Sequence, residues 1–172
     1  MAWSSGGGII GAGATVVVTA LQRTWQVKDK ARERQEVDRQ LLLSRGEELL
    51  QRCQELVDWK ESARKVASTA EGQGFVPIQA PMFRIAAIVE LFFPELSDQA
   101  HALDNSVLNY LHSLRGIAML MHAGTQVSQP HVKALRDQQA GVELSLGLFQ
   151  EAARKGIRAR LNALEERVQR DG

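Results

Sequence analysis

Apolar residues recur with the period of a helix along most of the chain. Leu42, Leu49, Leu56 and Ala63 stand seven apart, and Leu50, Cys53, Val57 and Val66 widen the same stripe. Spacing of this kind lines one side of a helix and predicts one buried face over about 41–70. Glu48 with Arg52, and Glu61 with Lys65, stand four apart in the favourable order, and each pair adds about 0.3 kcal/mol on an exposed helix surface. Residues 71–81, EGQGFVPIQAP, break the pattern with Gly and Pro and read as a loop. The run MFRIAAIVELFF (82–93) is strongly apolar but too short for a bilayer, and Arg84 and Glu90 interrupt its faces, so it reads as a core helix. Pro94 ends it. Over about 97–122 the core face is Leu103, Val107, Leu111, Leu114, Ala118 and Met121; GTQVSQP (124–130) is a turn with Pro130 suited to a first helical position. The last helix, about 130–168, carries Leu135, Val142, Leu146, Phe149, Ala153, Ile157, Leu161, Leu164 and Val168, with Glu151–Lys155 and Glu166–Arg170 as surface pairs. Short connections place consecutive helices side by side, so 41–172 is expected to be an antiparallel bundle of long amphipathic helices.

The N-terminus follows a different rule. Residues 2–22, AWSSGGGIIGAGATVVVTALQ, carry no ionisable side chain, and at ~1.5 Å per residue a helix of that length matches a bilayer core of about 30 Å. The expectation is a single transmembrane helix over 1–22, continuing with little or no break into a charged juxtamembrane helix over 23–40 and then into the bundle. A signal peptide is disfavoured because the first basic side chain, Arg23, follows the apolar run. Gly6 to Gly11 satisfies G-x-G-x-x-G as a string, but only Met1 to Ser5 precedes it, so there is no strand to build a dinucleotide site. Gly7, Gly11, Thr15 and Thr19 stand four apart and form a small-residue face on which a second helix can pack. Trp3 and Trp25 fall where interfacial aromatics sit. Arg23, Lys28, Lys30, Arg32 and Arg34 outnumber Asp29 and Glu33. By the positive-inside rule that bias puts the C-terminal domain in the cytoplasm, on the inner (plasma) membrane, and the same five residues are candidates for headgroup contact.

Composition narrows the function classes. The chain has 172 residues, a net charge of +1, 24% charged and 44% hydrophobic residues, which excludes a globally basic nucleic-acid binder and argues against disorder. Four Pro and 5% aromatics disfavour an all-β sandwich. A single cysteine, Cys53, cannot close an internal disulfide and reads as a small buried hydrophobe. His101, His112, His122 and His131 fall at spacings of 11, 10 and 9, so no pair stands three or four apart as two ligands side by side on one helix face would, and no Glu-x-x-His repeat is present, so no metal site is expected. There is no G-x-S-x-G elbow and no Walker sequence. Asp104, Asn105, Asn109, His112 and Arg115 read as the wet face of their helix, and Arg154, Lys155, Arg158 and Arg160 as a solvated helix end.

The string GGGIIGAGATVVVTALQRTWQVKDKARERQE, followed by a helix and later by LFFPEL at 91–96, resembles a loose group of small bacterial proteins with an N-terminal glycine-rich membrane helix, a charged juxtamembrane helix and a cytoplasmic helical bundle. The resemblance implies location and fold, and assigns no residue a role. The resulting expectation is a non-enzymatic, membrane-anchored interaction or scaffold protein without a cofactor, small-molecule substrate or nucleic-acid partner, holding a protein partner or a copy of itself at the cytoplasmic face. The alternatives are a soluble helical-bundle adaptor with a flexible Gly-rich N-terminus, and an envelope-spanning or lysis-type coiled coil with reversed topology.

Overall fold

The computed structural model describes residues 8–68 and 81–171, with side chains from Gln26 onward apart from a few positions in the helices. The described chain is all-helical: α1 (Gly8–Ser68), α2 (Met82–Phe92), a 3-10 turn (Pro94–Leu96), α3 (Ser97–His122) and α4 (Gln129–Asp171), with no strand among the described residues. Most of the loop expected at 71–81 lies outside them, as do the side chains of Val66 and Val168. The chain divides into two compact units, Leu42–Leu161 and a second formed by Met1–Leu41 with Asn162–Gly172.

Within Leu42–Leu161, cross-chain contacts fix the topology. Gly46 on α1 lies against Ile157 on α4, and Lys60 on α1 bonds Glu143 on α4, so advancing along one helix means retreating along the other. Ser106 on α3 meets Ser145 on α4 at 2.8 Å. Arg45 of α1 stacks over the Phe92 ring at the end of α2. Arg160 of α4 reaches Glu95, between α2 and α3. The helices therefore alternate in direction, up-down-up-down, as neighbours joined by short connections do.

One core runs through this unit. Leu49, Cys53, Leu56 and Ala63 of α1 meet Ile85, Ile88 and Val89 of α2, Leu103, Val107, Leu111 and Leu114 of α3, and Val142, Leu146, Phe149 and Ala153 of α4. Tyr110, Phe93 and Phe149, each 0% exposed, are its largest fully buried side chains. The apolar run 82–93 is a core helix, as its interrupted faces suggested, though Phe83 and Leu91 point outward and Phe92 is half-buried. Met121 departs from the expected α3 face: it is 42% exposed because the helix there runs into its C-terminal turn.

The turns follow from local chemistry. Gly124 takes a positive φ of 67°; its N–H donates to the Met121 carbonyl while the Thr125 N–H donates to Leu120, a Schellman ending that only glycine adopts without a Cβ penalty. The Ser128 carbonyl receives the N–H of His131 and of Val132 and so starts α4, which places Pro130 in the first turn, where its missing N–H costs nothing. Phe93 leaves the helical region at φ −141° ahead of Pro94.

In the second unit, Arg39 on α1 faces Glu165 on α4 at 3.9 Å with both side chains half-exposed. Val37 and Leu41 lie exposed on the same α1 segment. No helix among the described residues is long and apolar enough to cross a membrane. The transmembrane expectation for 1–22 thus gains no support from helix apolarity, because the glycines dilute the run, and residues 1–7 lie outside the described residues.

Candidate functional site

Three places on the molecule combine polar chemistry with accessible surface. The first is the α1–α4 seam. The α1 stripe that buries Leu49, Cys53, Leu56 and Ala63 also carries Lys60 at a core position, 7% exposed and the only buried charged residue among those described. Its Nζ donates to Glu143 Oε1 at 2.6 Å, and Gln139 Nε2 donates to the same oxygen at 3.2 Å. These bonds hold the Glu143 carboxyl below its usual range, with the Lys60 hydrogen bond the largest cause. Glu143 itself is 55% exposed at its side chain, so the pair places its anionic partner at the rim and its cation inside. A groove of about 360 Å³ opens beside it, with Leu56, Val57, Val142 and Leu146 as apolar walls and Gln54 and Gln150 at the edge. Close by in the core, the Tyr110 hydroxyl is buried without a hydrogen-bond partner; burial and then Glu61 push its ionisation upward.

The second is a groove of about 520 Å³ between α2 and α3. Met82, Ala86, Val89 and Ala100 form its floor, and Glu90, His101 and Asp104 its polar rim. Phe83, 75% exposed, stands at its mouth. The third is the opposite end of the bundle, where Arg160 donates from Nε and from an Nη to the two Glu95 oxygens at 2.8 and 2.6 Å and lies over the Phe93 ring at 5.7 Å. Burial alone would raise the Glu95 carboxyl; the Arg160 bonds outweigh it and leave it lowered. Such a forked pair fixes orientation more than it adds stability at a half-exposed site.

The residues singled out from the sequence fall as follows. Gly7 lies outside the described residues; Gly11, Thr15 and Thr19 lie on α1, but their side chains are outside the described set, as are those of Arg23 and Lys28. Lys30, Arg32 and Arg34 are exposed and make no ion pair with a described residue. Asn105, Asn109, His112 and Arg115 are exposed and Asp104 is half-exposed, as a wet helix face should be. In the basic cluster of α4, Lys155 pairs with Glu151 at 2.7 Å, whereas Arg160 turns to Glu95. Among the described residues no group of His, Cys, Asp or Glu is placed to hold a metal ion. Cys53 is fully buried, and burial pushes its thiol up to about 12, the opposite of a reactive thiolate.

Sequence reasoning missed Lys60–Glu143 and Glu95–Arg160, which join positions 83 and 65 residues apart. It also missed the outward leucines of α4, Leu144 at 67% and Leu148 at 58% exposure. The only available signal for these was the gap left when the core face of α4 is subtracted from its apolar residues. No protein family, no curated protein and no solved structure matches the chain.

Proposed function

We propose that the chain is a non-enzymatic interaction protein, attached to a membrane through its N-terminal segment, that holds a protein partner or a copy of itself at the cytoplasmic face. The observation that carries the reading is the set of large apolar side chains that the bundle leaves outside its core: Phe83 and Leu91 on α2, Met119 on α3, Leu144 and Leu148 on α4, all more than half exposed. Large apolar side chains on the outer faces of helices supply the contact area from which binding surfaces are built, and Leu144 with Leu148, four apart, share one such face. Membrane attachment rests on the uncharged run 2–22 and on the basic residues that follow it. Lys30, Arg32 and Arg34 face solvent, and each basic side chain near an anionic surface contributes about 1 kcal/mol.

A second reading, an adaptor whose glycine-rich N-terminus does not enter a bilayer, is favoured by one observation: no described helix is apolar enough to span. Flotation of the full chain with vesicles containing anionic lipid separates the two. The anchored reading predicts that the chain floats and stays bound in high salt, and that Lys30, Arg32 and Arg34 changed together to Gln weaken capture without abolishing it. A chain that stays at the bottom of the gradient with every lipid composition replaces the first reading with the second.

A further inference from the structure

The outer face of α4 carries a regular row of exposed residues. Asp137, Gly141, Leu144, Leu148, Glu151 and Lys155 follow one another at spacings of four and three, the repeat of a coiled-coil seam. At about 100° per residue this row lies opposite the side formed by Val142, Leu146, Phe149 and Ala153, which is buried in the core. Asp137, Leu144, Leu148, Glu151 and Lys155 are exposed and Gly141 is half-exposed. Nothing in the described chain covers the two leucines, and Asp137 makes no ion pair with a described residue.

The row is also palindromic in character about Leu146. Turned end over end, Leu144 falls on Leu148, Gly141 on Glu151 and Asp137 on Lys155. Two antiparallel copies related by a two-fold axis at that point would pack four leucines at the centre. Each end of the seam would then close with an aspartate of one copy against a lysine of the other. A two-fold contact of this kind needs one self-complementary patch and no second surface. The glycines fit the same arrangement. A Cβ added at Gly141 or at Gly147, which flanks the seam, would meet nothing within 4 Å, so packing inside the chain does not require either. Mid-helix glycine nevertheless costs about 1 kcal/mol relative to alanine. At Gly141 the missing side chain leaves room for the opposing Glu151, which already pairs with Lys155 of its own chain.

We infer that the outer face of α4 between Asp137 and Lys155 is a homodimer interface, a second copy of this chain docking antiparallel through Leu144 and Leu148 with Asp137 set against Lys155. The inference names the partner within the function proposed above. It stands or falls separately from membrane attachment, because its test reads association and not lipid binding.

Sedimentation equilibrium of the full chain in a non-ionic detergent, with and without charge changes, provides that test. The parent chain is expected to show a monomer–dimer equilibrium. Asp137→Lys sets ammonium against ammonium at both ends, and Lys155→Asp sets carboxylate against carboxylate; each alone should weaken association about tenfold or more. The double change Asp137→Lys with Lys155→Asp should restore it, and so should an equimolar mixture of the two single variants, in which every charge meets its opposite. Leu148→Glu should leave only monomer, with the helical circular dichroism of the parent and, at concentrations where the parent is itself monomeric, its melting, since the side chain lies outside the core. A parent chain that is monomeric to about 100 µM overturns the interface, as does a dimer indifferent to all these changes. Either result leaves the flotation outcome untouched.

Discussion

Gly46→Ala tests the α1–α4 contact on which the bundle's topology rests. In an isolated helix the change would stabilise, since alanine is favoured over glycine by about 1 kcal/mol. In this chain a Cβ at position 46 would stand 2.8 Å from Ile157 Cδ1, 3.1 Å from Cγ1 and 3.3 Å from Cγ2, against roughly 3.5–4.0 Å for comfortable carbon contact. Turning the terminal methyl away relieves only the worst of the three, because the two γ carbons stay close in any rotamer that keeps Ile157 in the seam. Overpacking of this kind costs about 1–3 kcal/mol, which exceeds the propensity gain, so a net loss of about 1 kcal/mol is expected. Gly116→Ala on α3 is the matched control: nothing lies within 4 Å of its Cβ, and it should gain up to about 1 kcal/mol. Urea unfolding followed by helical circular dichroism, at one protein concentration, gives both values from the midpoints. Combining Gly46→Ala with Ile157→Ala removes all three clashing carbons, so the pair should be less destabilising than the sum of the singles by about 1–2 kcal/mol. If Gly46→Ala stabilises as Gly116→Ala does, the two helices do not meet there, and the antiparallel register is wrong.

Three further outcomes follow from the same seam and core. Lys60→Met replaces a nearly buried cation with an apolar side chain of similar length and should be neutral or stabilising in thermal melts; Glu143→Gln leaves that cation without its counter-ion and should destabilise, by about 1 kcal/mol once water at the half-exposed carboxyl screens the pair. Glu95 and Glu143 both have lowered folded-state ionisation, so their contribution is complete above the ordinary carboxylate value of 4.5 and is lost as pH falls from there through the lowered values; melting temperature in an acid titration should drop below that point, and a drop confined to the range above it would contradict the pairing. Cys53, fully buried and with its thiol pushed up to about 12, should react with a thiol reagent only at the rate of unfolding, so prompt labelling of the native chain at about pH 8 would refute its place in the core.

Much of the helical core was legible because hydropathy writes it directly into spacing. Leu103, Val107, Leu111, Leu114 and Ala118 were readable as one face and are buried together. The α1 stripe was readable at Leu49, Cys53, Leu56 and Ala63, but its other buried members, Gly46 and Lys60, carry no apolar signal. Glycine matters there for the side chain it lacks, and lysine for a partner 83 residues away. Ion pairs along one helix were readable: Glu48–Arg52, Glu151–Lys155 and Glu166–Arg170 all form. Glu61 also meets Arg64, three residues on. Pairs between helices were not, because they depend on register, and register emerges only when side chains from different elements interlock. The helical period already leaves Leu144 and Leu148 off the α4 face that carries Val142 and Leu146, two residues away; the coordinates add that nothing in the described chain covers them.

Carbonate extraction of membranes from cells expressing the full chain addresses the central proposal most directly. An anchored bundle predicts that the parent chain remains in the membrane pellet, and that Val17→Arg, which sets a charge in the middle of the apolar stretch Ile9 to Leu21, releases it to the supernatant by making insertion costlier by about 3 kcal/mol. Release of the parent chain by carbonate, with the variant behaving no differently, would contradict the anchor and place the bundle's binding surfaces away from any bilayer.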